Sequence, residues 1–141
     1  MTDKPSSLEY RHCFVCGREN SRGLRLSPVG KEGRGLIEWV PTGHYEGYDG
    51  ILHGGLISTL LDEAMAYAVM SVVGSALTVR IDVRFIESVA IGSPVRITAE
   101  LLEERGRTVT ASAELAQEGR QKAKGKATFW KTEAESGGGP D

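Results

Sequence analysis

The sequence predicts an α+β domain in which a curved antiparallel sheet wraps one long central helix, and three observations carry that expectation. Residues 50–73, GILHGGLISTLLDEAMAYAVMSVV, contain a turn, a His-Gly-Gly corner and a helix of about five turns at ~3.6 residues each. Apolar side chains lie nearly all the way round that helix, which places it inside a protein. After Gly74 the apolar period changes to strict alternation, the mark of strands with two unlike faces. Short turns join these strands, and short turns join antiparallel neighbours because parallel pairs need long crossovers.

In chain order, residues 1–10 are polar and expected to be mobile. Residues 13–26, CFVCGRENSRGLRL, are punctuated by Gly17, Asn20 and Gly23 and suit a compact, turn-rich segment. Residues 35–40 alternate weakly up to Pro41 and are expected to form a strand, followed by a loop over 42–49 with His44, Tyr45 and Tyr48. Beyond the helix, residues 76–86 place Leu77, Val79, Ile81, Val83 and Phe85 on one face and Thr78, Arg80, Asp82 and Arg84 on the other. Further strands are expected over 95–103, 108–116 and 122–131, with turns at Gly92–Ser93–Pro94 and around Gly106. Residues 1–132 thus make a single domain, and the Gly-rich residues 133–141 a disordered tail. One sheet and one helix leave edges and a face wanting cover, so oligomerisation is expected.

Bulk properties exclude more than they identify. The chain has 141 residues, a net charge of −2 and two cysteines, which suits one soluble domain without a nucleic-acid or membrane partner. Asp62 and Glu63 interrupt the helix too sharply for a membrane span. No secretion signal is seen, so a cytoplasmic location is expected.

Chemistry concentrates on the helix. The first N–H groups of a helix have no internal partners and face the positive end of its dipole. Gly54 and Gly55 after His53 leave those donors unshielded, as an oxyanion hole requires, although two glycines serve a tight turn equally well. Asp62 lies two turns on, and a carboxylate in an apolar helix costs several kcal/mol unless paired or hydrogen-bonded. Ser58, Thr59 or a neighbouring strand would satisfy it as a structural residue; beside an anion site, a nucleophile or general base is the better reading. Glu63 is expected to face solvent or a subunit boundary. Gly54 and Asp62 are ~12 Å apart at ~1.5 Å rise per residue, too far to act together within one chain. Two antiparallel helices related by a two-fold axis would place Asp62 of one beside Gly54 of the other, with two shared sites per dimer.

LHGGLISTLLDEAMAYA resembles the central-helix motif of hotdog-fold acyl-CoA thioesterases of the phenylacetic-acid-degradation (PaaI-like) type. The resemblance runs over about residues 47–130, and CFVCGRENSRGL is similar to the start of a subset of hotdog proteins. It implies hydrolysis of an acyl-coenzyme A thioester without a cofactor or metal. By analogy the N–H of Gly54, helped by Gly55, polarises the thioester carbonyl, while Asp62 of the partner subunit acts as base or nucleophile. His53 orients the corner, and Thr78 stands where relatives often carry a hydroxyl near the attacking water. Some relatives have an Asn six residues before the His; here Gly47 stands there, and its role passes to Tyr48 or Asp49 or is unfilled. The assembly implied is at minimum a homodimer, and a homotetramer as a dimer of dimers. The alternative is a non-catalytic acyl-CoA or acyl-ligand binding module; a hotdog hydratase is disfavoured because this sequence has no Asp and His spaced as in that branch of the fold.

Cys13 and Cys16 have metal-ligand spacing but lack two further ligands in sequence, so partly buried free thiols in a turn are expected ahead of a zinc shared across subunits or a redox pair. Arg80 and Arg84 are expected to pair with acids, and Lys122, Lys124 and Lys126 to form a solvated face.

Overall fold

The computed structural model describes residues 8–132; the expectations for residues 1–7 and 133–141 fall outside the described residues. Everything is arranged about helix α1 (Gly54–Val73). Strands β1 (Val29–Lys31), β2 (Arg34–Trp39), β3 (Ala76–Phe85), β4 (Val95–Arg105), β5 (Thr108–Gln117) and β6 (Arg120–Lys131) form one antiparallel sheet in the order β1-β2-β4-β5-β6-β3. The α+β expectation of a sheet around one long helix therefore holds, with one strand more than expected.

The core follows the periodicities. Ile57, Leu60, Leu61, Ala64, Met65, Ala68 and Val69 are the buried positions of α1. They face Ile37 of β2, Val95 and Ile97 of β4, Val109 and Leu115 of β5, and Phe129 of β6, all fully or nearly fully buried. Burying each large aliphatic side chain contributes ~1.5–3 kcal/mol. Between these large residues the sheet carries Ala99, Ala111, Ala113, Ala123 and Ala127, so it can lie close over the helix. The closest approach is at the β1–β2 hairpin. A Cβ on Gly35 would sit 2.2 Å from the Ala64 carbonyl oxygen, and one on Gly30 would sit 2.4 Å from that of Tyr67. Only glycine lets backbone meet backbone there.

By length and apolarity α1 would suffice to cross a bilayer, but the sheet covers its apolar face here. Cover is not complete. Ser58, Thr59, Asp62 and Ala66 are only half-buried, and Val72 is exposed. An all-round buried helix is thus corrected to one with an uncovered stripe of small and polar residues. Gly74, at φ 81°, ends the helix by donating its N–H to the Met70 carbonyl.

Strand β3 departs from the alternation expected of it. Among the described residues it runs along an edge of the sheet and pairs only with β6, where the register slips between Thr78 and Arg80. Val79 is the extra residue of a bulge, and a bulge exchanges the faces on either side of it. Ile81 and Val83 pack on the core, whereas Leu77 and Val79 are exposed. Thr78, expected on the opposite face from Ile81, is turned towards the helix instead.

Candidate active site

At the start of α1, His53 is extended (φ −61°, ψ 136°) and is the N-cap. Its Nδ1 accepts the N–H of Gly55 at 2.8 Å, and its carbonyl accepts from Leu56 and Ile57. The His53 N–H donates to Tyr45 O and Leu52 N–H to Val89 O, so the corner is pinned from two sides. The two glycines consequently differ. The N–H of Gly55 is taken by the imidazole, which removes it from the expected role of helping to polarise a substrate carbonyl. The N–H of Gly54 has no hydrogen-bond partner among the described residues. It lies by an open cleft of about 510 Å³ lined by Gly47, Tyr48, Ile51, Leu52, His53 and Gly54. A Cβ on Gly54 would meet only the Phe85 ring, at 3.5 Å, so the end of β3 borders this corner.

Two turns along the helix, Asp62 is half-buried on the uncovered stripe. Its partner is Thr78, whose hydroxyl donates to Oδ1 at 2.8 Å. The bulge in β3 makes this contact possible, because regular alternation would have directed Thr78 away from Asp62. Thr59 is occupied elsewhere, donating to Gly55 O. Burial pushes the Asp62 carboxyl above its ordinary value, and the Thr78 hydrogen bond opposes that shift. A carboxylate held this way is more basic than a solvated one. Asp62 and Gly54 stay two turns apart on the same rod, and one chain does not bring them together.

Gly47 packs against the corner: a Cβ there would lie 3.3 Å from His53 Cα. Tyr48, 84% exposed, borders the cleft, and Asp49 is exposed. His44 is exposed in the turn Gly43–Tyr45. Arg80 pairs with Asp82 at 3.1 Å, and Lys122 is largely covered beside Glu87 rather than solvated.

Glu63 corrects a sequence expectation. It faces the segment carrying Cys13 and Cys16 rather than open solvent. Burial raises its carboxyl, contact with Cys16 lowers it, and the charge of Asp62 raises it. The Cys16 thiol is pushed up to about 12 by burial and by its contact with Glu63.

A buried helix with an open glycine corner, a half-buried acid and a hydroxyl partner now have a context. The sequence profile of the thioesterase superfamily matches residues 49–124, from the turn before the corner into β6. The chain belongs to the thioesterase superfamily. A Schizosaccharomyces pombe protein of uncharacterised role is 32% identical over 118 residues, spanning 79% of this chain and 67% of that protein. Among solved structures, a thioesterase superfamily protein superposes with a TM-score of 0.78 at 24% identity over 85% of this chain. The chain spans only 60% of that protein's length. A Streptococcus mutans protein bound to acetyl CoA superposes at 0.70 with 20% identity, covering 74% of this chain and 86% of its own. The phenylacetic acid degradation protein PaaI of Thermus thermophilus also superposes at 0.70, with 22% identity, 75% of this chain and 92% of its own. These likenesses establish the fold of this superfamily member as hotdog, with PaaI among its structural neighbours.

Proposed function

We propose that this thioesterase superfamily member hydrolyses an acyl-CoA thioester at a site shared between two subunits. The observation that carries this reading is the contact of Thr78 with a half-buried Asp62 on a stripe of α1 that the sheet leaves uncovered. A second antiparallel helix laid on that stripe would cover it and bring the partner subunit's Asp62 towards the free N–H of Gly54. The bound acetyl CoA of the Streptococcus mutans neighbour supports the choice of thioester.

The chemistry then divides between the subunits. The Gly54 N–H, at the positive end of α1, receives the carbonyl oxygen as it gains negative charge. The partner subunit's Asp62, raised by burial and steadied by Thr78, takes a proton from water as its oxygen attacks the carbonyl carbon. The C–S bond breaks, the thiolate of coenzyme A leaves, and the proton passes on to it. His53 holds the corner rather than touching substrate.

The test is a hydrolysis screen over short-chain, medium-chain and aromatic acyl-CoA esters. Turnover of at least one ester, lost in Asp62→Ala, supports the proposal. Thermal stabilisation by acyl-CoA without turnover, retained in Asp62→Ala, would make the protein a binding module instead.

A further inference from the structure

We propose that Cys13, Cys16 and Glu63 form a binding site for a thiophilic divalent cation, with Zn²⁺ the best chemical match. This site is separate from the proposed hydrolytic one, and none of its three residues acts there.

Sequence spacing offered two ligands; folding supplies a third. One ligand atom each from Cys13, Cys16 and Glu63 lie within 4.8 Å of one another. Ligands around tetrahedral zinc, at ~2.3 Å for sulfur and ~2.0 Å for oxygen, stand roughly 3.3–3.8 Å apart. A contraction of about an ångström closes the set around an ion. Cys13 is only partly buried, which leaves the contraction room and the ion a path in.

Two further features point to a ligand. Glu63 Oε2 is sealed from solvent and has no hydrogen-bond partner among the described residues. Contact with Cys16 engages the carboxylate but leaves that oxygen unsatisfied, which a buried polar atom seldom tolerates. The cysteine turn is also tightly closed, with a backbone N–H aimed at one of its sulfurs. Gly17 N–H closes it onto Cys13 O at 2.8 Å, and Val15 N–H donates to Cys13 Sγ at 3.4 Å. A Cβ on Gly17 would lie 2.4 Å from Cys13 N, so the turn is this tight only because that residue is glycine.

Two soft sulfurs and one carboxylate favour zinc over calcium or magnesium, which prefer all-oxygen shells. The fourth position falls to solvent, with Tyr67 beside Cys16 as an outer partner. Occupied, the site would tie the N-terminal segment to α1 one residue beyond Asp62.

The experiment uses the full chain, reduced, stripped with chelator and titrated with Co²⁺. One Co²⁺ per chain with thiolate-to-cobalt charge-transfer absorption is expected, displaced by Zn²⁺, which also raises the Tm. Cys16→Ser should abolish the absorption. Glu63→Gln should keep thiolate absorption but weaken Co²⁺ binding about 10-fold or more. No absorption from wild-type protein whose two thiols both react with a thiol reagent would overturn the proposal. So would Glu63→Gln binding Co²⁺ as tightly as wild type.

Discussion

Asp62 and Glu63 are neighbours in sequence, share a helix and are both raised by burial, yet they belong to different places. One residue of helix is a rotation of about 100°, enough to turn two adjacent acids towards different elements. Asp62 meets Thr78 of the edge strand on a stripe the chain leaves uncovered; Glu63 meets Cys16 beneath the N-terminal segment. The first acid has a hydroxyl donor, and the second has an oxygen without a partner among the described residues. What a buried carboxylate does is therefore decided by the surface it faces, not by the helix that carries it.

The largest expected effect breaks this pair apart. Asp62→Asn keeps the shape and the oxygen that Thr78 bonds but removes the base, so kcat should fall by ~10²-fold or more. The same variant should keep the cobalt absorption, whereas Glu63→Gln should weaken cobalt binding. Stability should move against activity. Because the folded-state pKa of Asp62 lies above its ordinary 3.8, the folded protein holds a proton that the unfolded chain releases. Wild-type stability therefore falls as pH rises from the unfolded value through the folded one. Asn escapes that loss, so Asp62→Asn should melt higher than wild type at neutral pH and converge with it below the unfolded pKa. A lower Tm at neutral pH would show that Asp62 is held as a structural residue.

Gly54 is the next most sensitive position. Gly54→Val adds bulk where the Phe85 ring is the neighbour, so the chain should fold while the path to the N–H is blocked. Loss of one oxyanion donor costs ~10²-fold in kcat or more. Mixing Gly54→Val with Asp62→Ala should restore about one working site in two in mixed dimers. Measured recovery of activity on mixing checks the shared site, and no recovery would place both residues' roles within one chain.

Thr78→Val should act more gently, lowering kcat by ~10-fold with about 1 kcal/mol lost in stability. Its hydroxyl stabilises the charged form of Asp62, so removing it should raise that carboxyl further. The acid limb of the kcat/KM profile should then move to higher pH; an unmoved limb would assign it to another group.

The same two acids mark how far the sequence could be read. Helical and alternating periods placed α1 and five of the strands, because each encodes its own buried face. Strand β1 has three exposed residues and no period, and its position rests on Gly30 meeting the Tyr67 carbonyl far along the chain. The bulge at Val79 was equally hidden: alternation runs unbroken from Leu77 to Phe85, and only pairing with β6 reveals the extra residue. Asp62 stood out as an acid within an apolar helix, but its partner was sought at Ser58, Thr59 or an unspecified strand position, and the contact with Thr78 needed the bulge. Glu63 was misplaced because a helical wheel shows direction but not the distant cysteine turn that covers it.

The smallest effect tests whether the glycine corner serves only the Asp62 side of this contrast. His53→Ala removes the imidazole that caps Gly55 N–H, a loss of about 1 kcal/mol for a helix cap. His53→Asn supplies a short side-chain acceptor at the same position and should recover most of that stability, since Asn is a favoured N-cap. Turnover should fall in His53→Ala, because a frayed first turn no longer fixes the Gly54 N–H, and should recover partly in His53→Asn. Cobalt absorption should be the same in both variants, because the cysteine turn bears on the helix more than two turns away. If His53→Asn recovers stability but none of the turnover, the imidazole itself meets the substrate, and the corner has a second functional group.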